Sequence, residues 1–266
     1  MLNFIKYLSK ILISIIIASN LHAANSITVG ASNIPHSEIL DFVKPILKKQ
    51  GIDLNIVIFQ DYILPNKALA GKEIDANYFQ HIQYLDSQIK ENRNYKFKIL
   101  AKVHIEPIGL YSKKYTKISD LPQNAKIVTS NSSSDLTRIL LLLQSSGLIT
   151  LKPNQSSYTL NDIITNPKNI QILNSIDSSL LALMYKENEQ DAIVINTNYA
   201  LDAGLNPLKD AIVLESADSP YVNILVSRED NAKDKNLQQL AKVLNSKEVQ
   251  DFIKNKYNGN VLPYKN

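Results

Sequence analysis

Two stretches of this chain repeat one plan, and that repetition limits the fold more than any other feature. Asp75-Ala76-Asn77-Tyr78-Phe79-Gln80-His81 follows Gly71 and packs amide, phenol, phenyl and imidazole groups into one short segment. Asp191-Ala192-Ile193-Val194-Ile195-Asn196-Thr197-Asn198-Tyr199 again runs from Asp-Ala through apolar residues to clustered Asn and Tyr. The likeness extends upstream. Ile27-Thr28-Val29-Gly30-Ala31-Ser32-Asn33 enters a polar turn before a helix over residues 37–50, and Lys126-Ile127-Val128-Thr129-Ser130-Asn131 does the same before a helix over 136–146. Each half reads as strand, Ser/Asn turn, helix and a later Asp-Ala loop. Two copies at so long a spacing predict two similar α/β lobes facing each other, not a solenoid. Apolar faces with convergent amides are also how a small-molecule pocket is lined. An ordinary surface loop with one buried Phe is the competing reading of the first stretch.

The chain has 266 residues, room for one large domain or two ordinary ones, and its 44% hydrophobic content supports a packed core. Residues 1–23 read as a secretory signal: Lys6 and Lys10, then Ile11-Leu12-Ile13-Ser14-Ile15-Ile16-Ile17-Ala18, then Leu21-His22-Ala23 as the cleavage site. The apolar run is too short to span a bilayer, so an exported, soluble, periplasmic protein starting at Ala24 is expected. Outside the signal 27 of the 29 basic side chains face 25 acidic ones without a basic stripe, which argues against nucleic acid. The absence of Cys excludes thiol catalysis, Cys-ligated metals and disulfides.

Strands are predicted at residues 27–30, 54–59 and 96–103. Ser37 is the expected N-cap of a helix with Ile39, Leu40, Val43, Ile46 and Leu47 at helical spacing, closed by Gly51. His104-Ile105-Glu106-Pro107-Ile108-Gly109-Leu110-Tyr111 is expected to cross from the first lobe to the second. Tyr221-Val222-Asn223-Ile224-Leu225-Val226, entered through Ser219-Pro220, is expected to cross back. Lobe 1 is then 24–110 plus 223–266, and lobe 2 is 111–222. Helical periodicity over 236–257 should pack on lobe 1.

Only three arginines occur. Arg93 and Arg228 sit among polar turn residues. Arg138 lies in the first turn of a helix entered from Ser130–Asp135, where the N-terminus favours an anion and a guanidinium can grip a carboxylate with two bonds. A local ion pair with Asp135 is the alternative. His81, His104 and Glu106 could in principle hold zinc, but they lack a compact ligand motif, so no metal and no cofactor are expected. Ser132-Ser133-Ser134 reads as capping and anion-contact hydroxyls, not as a nucleophile.

Several segments closely resemble the methionine-binding lipoproteins of bacterial ABC importers, the NlpA lipoprotein family. They are Tyr62-Ile63-Leu64-Pro65-Asn66, Asp75 to His81, His104-Ile105-Glu106-Pro107, Asn166-Pro167-Lys168-Asn169, Ile195-Asn196-Thr197-Asn198-Tyr199-Ala200 and Ser219-Pro220-Tyr221-Val222-Asn223. The resemblance runs in order over nearly the whole mature chain. It implies a type II, two-lobed periplasmic-binding-protein-like α/β fold with two crossing hinge strands. It implies delivery of D- or L-methionine, or a related amino acid or small peptide, to a membrane permease and ATPase. By the same resemblance Tyr62, Phe79, His81, His104 and Glu106 would line the first lobe and hinge. Arg138 would take the ligand carboxylate, and Asn196 and Asn223 its polar groups. Two departures stand out. The family's lipobox cysteine is missing, which predicts no lipid anchor. Ser130-Asn131-Ser132-Ser133-Ser134-Asp135 replaces the family's Pro-Asn-Asp-Pro-Thr-Asn turn. An enzyme or a surface antigen on the same scaffold is the alternative class.

Overall fold

The computed structural model describes residues 25–265, so the signal read over residues 1–23 lies outside them. β1 (Ser26–Ala31) buries Ile27, Val29 and Ala31 on one face, the two-residue period of a strand. After a widened turn over Asn33–Ser37, α1 (Glu38–Lys48) buries Ile39, Leu40, Val43 and Leu47 against that face. Ser37 precedes the helix but does not cap it as expected. Its hydroxyl donates back to Asn33 O at 2.7 Å instead of accepting a free helix N–H. Gly51, at φ +80°, turns the chain into β2 (Asp53–Ile58), parallel to β1. Then come α2 (Leu64–Ala70), β3 (Ala76–His81), parallel to β1 on its other side, α3 (Ile82–Glu91) and β4 (Phe97–Ile105).

Glu106-Pro107-Ile108 carries the chain to β5 (Gly109–Tyr111), which belongs to a second sheet. β6 (Lys126–Ser130) leads into α4 (Ser133–Ser145), and a hairpin of β7 (Thr150–Leu151) and β8 (Ile163–Thr165) follows. β9 (Gln171–Ile176) and, after α5 (Ser178–Glu187), β10 (Ala192–Ile195) flank β6 in parallel, as β2 and β3 flank β1. α6 (Thr197–Asp202), α7 (Pro207–Asp210) and β11 (Ala211–Leu214) complete this half. Residues 215–221 return to β12 (Val222–Arg228), which lies antiparallel between β3 and β4. The periodicity over 236–257 resolves into α8 (Lys235–Leu244) and α9 (Lys247–Tyr257), and β13 (Leu262–Pro263) edges the first sheet. Ser246 separates the two helices by accepting from Val249 N at 3.3 Å.

The strand orders are β13-β4-β12-β3-β1-β2 and β11-β5-β10-β6-β9. In each sheet the antiparallel strand beside β3 or β10 is the one that has just arrived from the other half. The repeated Asp-Ala has a physical cause. Asp75 Oδ2 accepts from Thr28 N, and Asp191 Oδ2 accepts from Lys126 N, both at 2.8 Å. The next residues then pair in the same register, Ala76 with Val29 and Ala192 with Ile127. α1, α8 and α9 pack on one face of the first sheet, and α2 and α3 meet its other face through Leu69, Leu85, Ile224 and Val226. α4 covers one face of the second sheet, and α5 and α6 cover the other.

Three buried positions, Gly109, His36 and His104, lie close to the first crossing. A Cβ on Gly109 would stand 2.7–2.8 Å from the Tyr111 ring, which is fully buried. Close to the first crossing, His36 and His104 are 1% and 0% exposed, with ring centroids 4.9 Å apart. Burial pushes the His36 imidazolium down to about 4, against the pull of Glu106, and that of His104 down to about 3.

Gly109→Ala is therefore expected to cost about 1–3 kcal/mol by overpacking, read as a lower urea midpoint at unchanged slope. An unchanged midpoint would mean that Tyr111 yields freely. The histidines give a pH signature. As pH falls below 6.5 the unfolded chain binds protons that His36 and His104 refuse until about 4 and about 3, so stability drops across that window. Each contributes a slope of about 1.4 kcal/mol per pH unit. Urea titrations at a series of pH values should show a shallower slope in His36→Gln than in wild type. Equal slopes would mean that folded His36 carries a charge.

Candidate functional site

Between the two sheets lies a cavity lined by residues from both halves of the chain. Seven of the predicted residues line it: Tyr62, Phe79, His81, Glu106, Arg138, Asn196 and Asn223. His104 does not reach it. It lies one layer behind, where its Nδ1 meets the Tyr78 hydroxyl and its Nε2 is 2.7 Å from Glu106 Oε1. Gln80, Tyr84, Ile108, Asp135, Thr197 and Asn198 complete the lining; Gln80, Thr197 and Asn198 belong to the two repeated stretches, while Tyr84, Ile108 and Asp135 were not expected there. Tyr84 had a signal, three residues after His81 on the helix that His81 begins. Asn77, from the same repeated stretch, turns away and donates to Asn66 Oδ1 at 2.9 Å.

One end of the cavity is aromatic. Tyr62, Phe79 and Tyr84 form a collar, with ring centroids 6.0–6.2 Å apart. Asp61 Oδ1 accepts from Leu64 N at 2.8 Å and ties down the turn that presents Tyr62. The Tyr62 hydroxyl donates to Asn198 Oδ1 at 2.6 Å, across the cleft, and the Tyr84 hydroxyl donates to Tyr62 O at 2.8 Å. Burial holds the Tyr62 phenol neutral by raising its pKa far above the ordinary value.

The other end is polar and ordered by hydrogen bonds. His81 Nδ1 accepts from Tyr84 N at 3.1 Å, so its proton sits on Nε2 and is donated to Asp135 Oδ1 at 3.3 Å. Asp135 Oδ2 accepts from Asn196 Nδ2 at 3.1 Å, which leaves the Asn196 carbonyl oxygen as a free acceptor. Burial works against the Asp135 charge, but the bond from His81 and its neighbours outweigh it and hold the carboxyl low. Asn223 is held in the opposite sense, with its Oδ1 3.0 Å from His36 Nε2. Burial raises the Glu106 pKa, opposed by His36, Arg138 and a bond from the Asn198 backbone.

Arg138 sits where the sequence places it, but Asp135 is not its partner. Its Nε donates to both Glu215 oxygens at 2.9 Å, and its Nη2 bonds Glu215 Oε2 and, at 2.5 Å, Glu106 O. The guanidinium lies 4.5 Å over the Tyr221 ring. The two-bond grip expected for a ligand is thus made on an internal carboxylate, which leaves Nη1. The Ser132-Ser133-Ser134 run also differs from expectation. Ser132 precedes α4 without a side-chain cap, Ser132 Oγ and Ser134 Oγ bond each other at 2.9 Å, and Ser132 and Ser133 border the cleft mouth.

Among the described residues, His36, His104 and Glu106 bring ligand-type atoms within 4.8 Å of one another. This is a different trio from His81, His104 and Glu106, since His81 turns to Asp135. Two zinc ligands, each about 2.0–2.1 Å from the ion, stand roughly 3.3 Å apart in a tetrahedron. The 2.7 Å His104–Glu106 spacing is that of a hydrogen bond, and the trio reads as a proton-bonded chain.

The model of the family described as NlpA lipoprotein matches residues 27–265. The methionine-binding lipoprotein MetQ of Bacillus subtilis is 45% identical over 240 residues, covering 89% of this chain and 87% of that protein. A nutrient binding protein from Burkholderia cenocepacia, solved bound to methionine, superposes with TM-score 0.84 at 40% identity, over 90% of this chain and 100% of that one. A periplasmic substrate-binding protein of an ABC transporter from Coxiella burnetii gives TM-score 0.84 at 38% identity, over 90% and 100% of the two chains. The fold is thus the two-lobed periplasmic-binding type, and with a family match over nearly all the described residues the chain belongs to the NlpA lipoprotein family.

Proposed function

We propose that this chain binds methionine, in D or L form, or a closely related amino acid or small peptide, and delivers it to an ABC permease and ATPase. The relatives' names and the methionine-bound neighbour support the ligand class. The observation that carries the reading is the opposite setting of the two amides beyond the aromatic collar. An α-amino acid presents an ammonium and a carboxylate on one carbon. Asn196 Oδ1 and Glu106 are acceptors suited to the ammonium. Asn223 Nδ2 and Arg138 Nη1 are donors suited to the carboxylate. The three rings suit a polarizable thioether. The same inventory favours a carrier over an enzyme, because the one aliphatic hydroxyl in the lining, on Thr197, already donates to Pro107 O.

The two sheets would be the cores of two lobes, 24–110 with 223–266 and 111–222, and the pairing of Gly109 and Leu110 with β10 supports starting the second lobe at 109. A few polar bonds bridge the cleft, among them Asn33 Nδ2 to Asp202 Oδ1 at 2.5 Å and Tyr199 OH to Gln60 O at 3.2 Å. Such a seam suits a closed state that opens about the two crossings.

Calorimetric titration tests the ligand. Methionine should bind, and methioninamide should bind about tenfold to a hundredfold more weakly, the worth of one charged hydrogen-bonded contact. Asn196→Leu should weaken methionine to a similar degree. Arg138→Ala is a poor probe, because it strands Glu215 as a buried unpaired charge at a cost of about 3–5 kcal/mol. No heat with methionine, or equal affinity for acid and amide, sinks the proposal. Small-angle scattering tests closure: the ligand-free protein should have the larger radius of gyration, and an equal radius with binding confirmed would count against a hinge.

A further inference from the structure

We propose that His36 is a positioning residue for the ligand carboxylate: it locks the Asn223 side chain so that the amide NH₂ group faces the cavity. This rests on reading the cavity as an α-amino-acid site. His36 is outside the lining, in the turn after β1, and its motif in the sequence marks only a turn. Its Nδ1 is 2.6 Å from Ser32 Oγ, and its Nε2 is 3.0 Å from Asn223 Oδ1 and 3.3 Å from Glu106 Oε1. Ser32 and Asn223 are themselves 5% and 6% exposed, so the contacts are sealed from bulk water.

The direction of each bond follows from the far end of the ring. A serine hydroxyl can donate or accept, so Ser32 alone does not assign the tautomer. Glu106 Oε1 decides it. As a carboxylate that oxygen can only accept, so His104 Nε2 at 2.7 Å and His36 Nε2 at 3.3 Å each face it with an N–H, and a bare His36 Nε2 would meet it lone pair to lone pair. The proton therefore sits on His36 Nε2, and the Ser32 hydroxyl donates to Nδ1. An N–H on Nε2 requires an acceptor at 3.0 Å, so the Asn223 atom there is the carbonyl oxygen. The flipped amide would set two donors against each other. Burial keeps the ring neutral, pushed down to about 4, so His36 has one N–H to give. Ser32, His36 and Asn223 form a relay that ends in an NH₂ group aimed at an anion. His81 and Asp135 do the converse for Asn196.

The test has a ligand-free arm and a ligand arm. ¹⁵N shifts of labelled histidine in the ligand-free protein should report Nε2–H and bare Nδ1 for His36, and the Nδ1–H form would overturn the proposal. Titration then compares methionine with methioninamide in wild type, Ser32→Ala, His36→Leu and His36→Gln. His36→Leu should lose methionine affinity by about tenfold to a hundredfold, with far less loss for the amide, so that the preference for the acid shrinks. Gln can place an N–H near the Nε2 position, and His36→Gln should recover most of the preference. Ser32→Ala removes the hydroxyl that anchors Nδ1, so the ring can turn away from Asn223, and should shrink the preference by a smaller factor. Should His36→Leu fail to fold, Ser32→Ala decides. An acid-to-amide preference equal to wild type there overturns the relay. If wild type binds no methionine, the amino-acid reading falls, while the tautomer still shows whether Asn223 is locked.

Discussion

The buried ion pair of Arg138 and Glu215 joins three parts of the molecule. Arg138 starts α4 in one half. Glu215 lies on the return crossing, and its carboxylate also accepts from Ile108 N at 3.2 Å on the outbound crossing. Arg138 Nη2 reaches the outbound chain as well, at Glu106 O. Backbone bonding between Glu215 N and Ile108 O, at 2.9 Å, holds the two crossings side by side. Desolvation of two charges is costly, and it is offset here by two Nε contacts, an Nη2 contact and a hydroxyl donor, Ser219, at 3.0 Å. Burial alone would lower the Arg138 pKa, and Glu215 more than reverses this. The floor of the cavity is therefore a satisfied electrostatic knot, and the two chain passages are fixed relative to it.

The duplicated plan explains why such a knot is useful. Each sheet borrows its antiparallel strand from the chain arriving from the other half. The first sheet is assembled from two separate segments, 26–105 and 222–263, and the second from the single stretch 109–214 inserted between them, so the two halves are coupled through the crossings. Within each sheet one parallel pairing, β1 with β3 or β6 with β10, begins at one carboxylate, Asp75 or Asp191, on the backbone N–H of the partner strand. A one-residue slip would move every side chain to the wrong face. The clamp sits at the start of the pairing and excludes that slip.

Much of this was legible. The strands and helices follow apolar periods of two and of three to four, and the crossings follow from continuous apolar runs next to Pro107 and Pro220. The lining residues were legible where the repeated stretches end, at Phe79, His81 and Asn196. What could not be read was pairing across long separations. Arg138 has an acidic residue three positions away, and the local rule favours Asp135, yet Glu215 wins from 77 positions away. His104 and Glu106 do share a strand face, as alternation predicts, but strand alternation does not give depth. The Tyr78 hydroxyl, from β3 beyond β12, engages His104 Nδ1 in the layer behind, and of the two only Glu106 lines the cavity. His36 was silent because its role lies in which ring nitrogen holds a proton, a matter of neighbours and not of sequence spacing.

The two ends of the cavity can discriminate by different amounts. An aromatic collar senses volume, and one methylene more or less in an apolar pocket is worth only about 1–3 kcal/mol. A polar end built from buried donors and acceptors rejects a mismatched group much more strongly, because the mismatch leaves those groups unpaired. That strength exists only if the groups cannot turn. A free Asn amide flips and serves donor or acceptor equally. Asn196, held by Asp135 and His81, and Asn223, held by His36, have lost that freedom. The supporting layer spends two histidines and an aspartate on orientation, and none of the three needs to touch a ligand for that purpose. Selection is thus strict at the polar end of the cavity and looser at the aromatic collar, a division that follows from which end is held by hydrogen bonds.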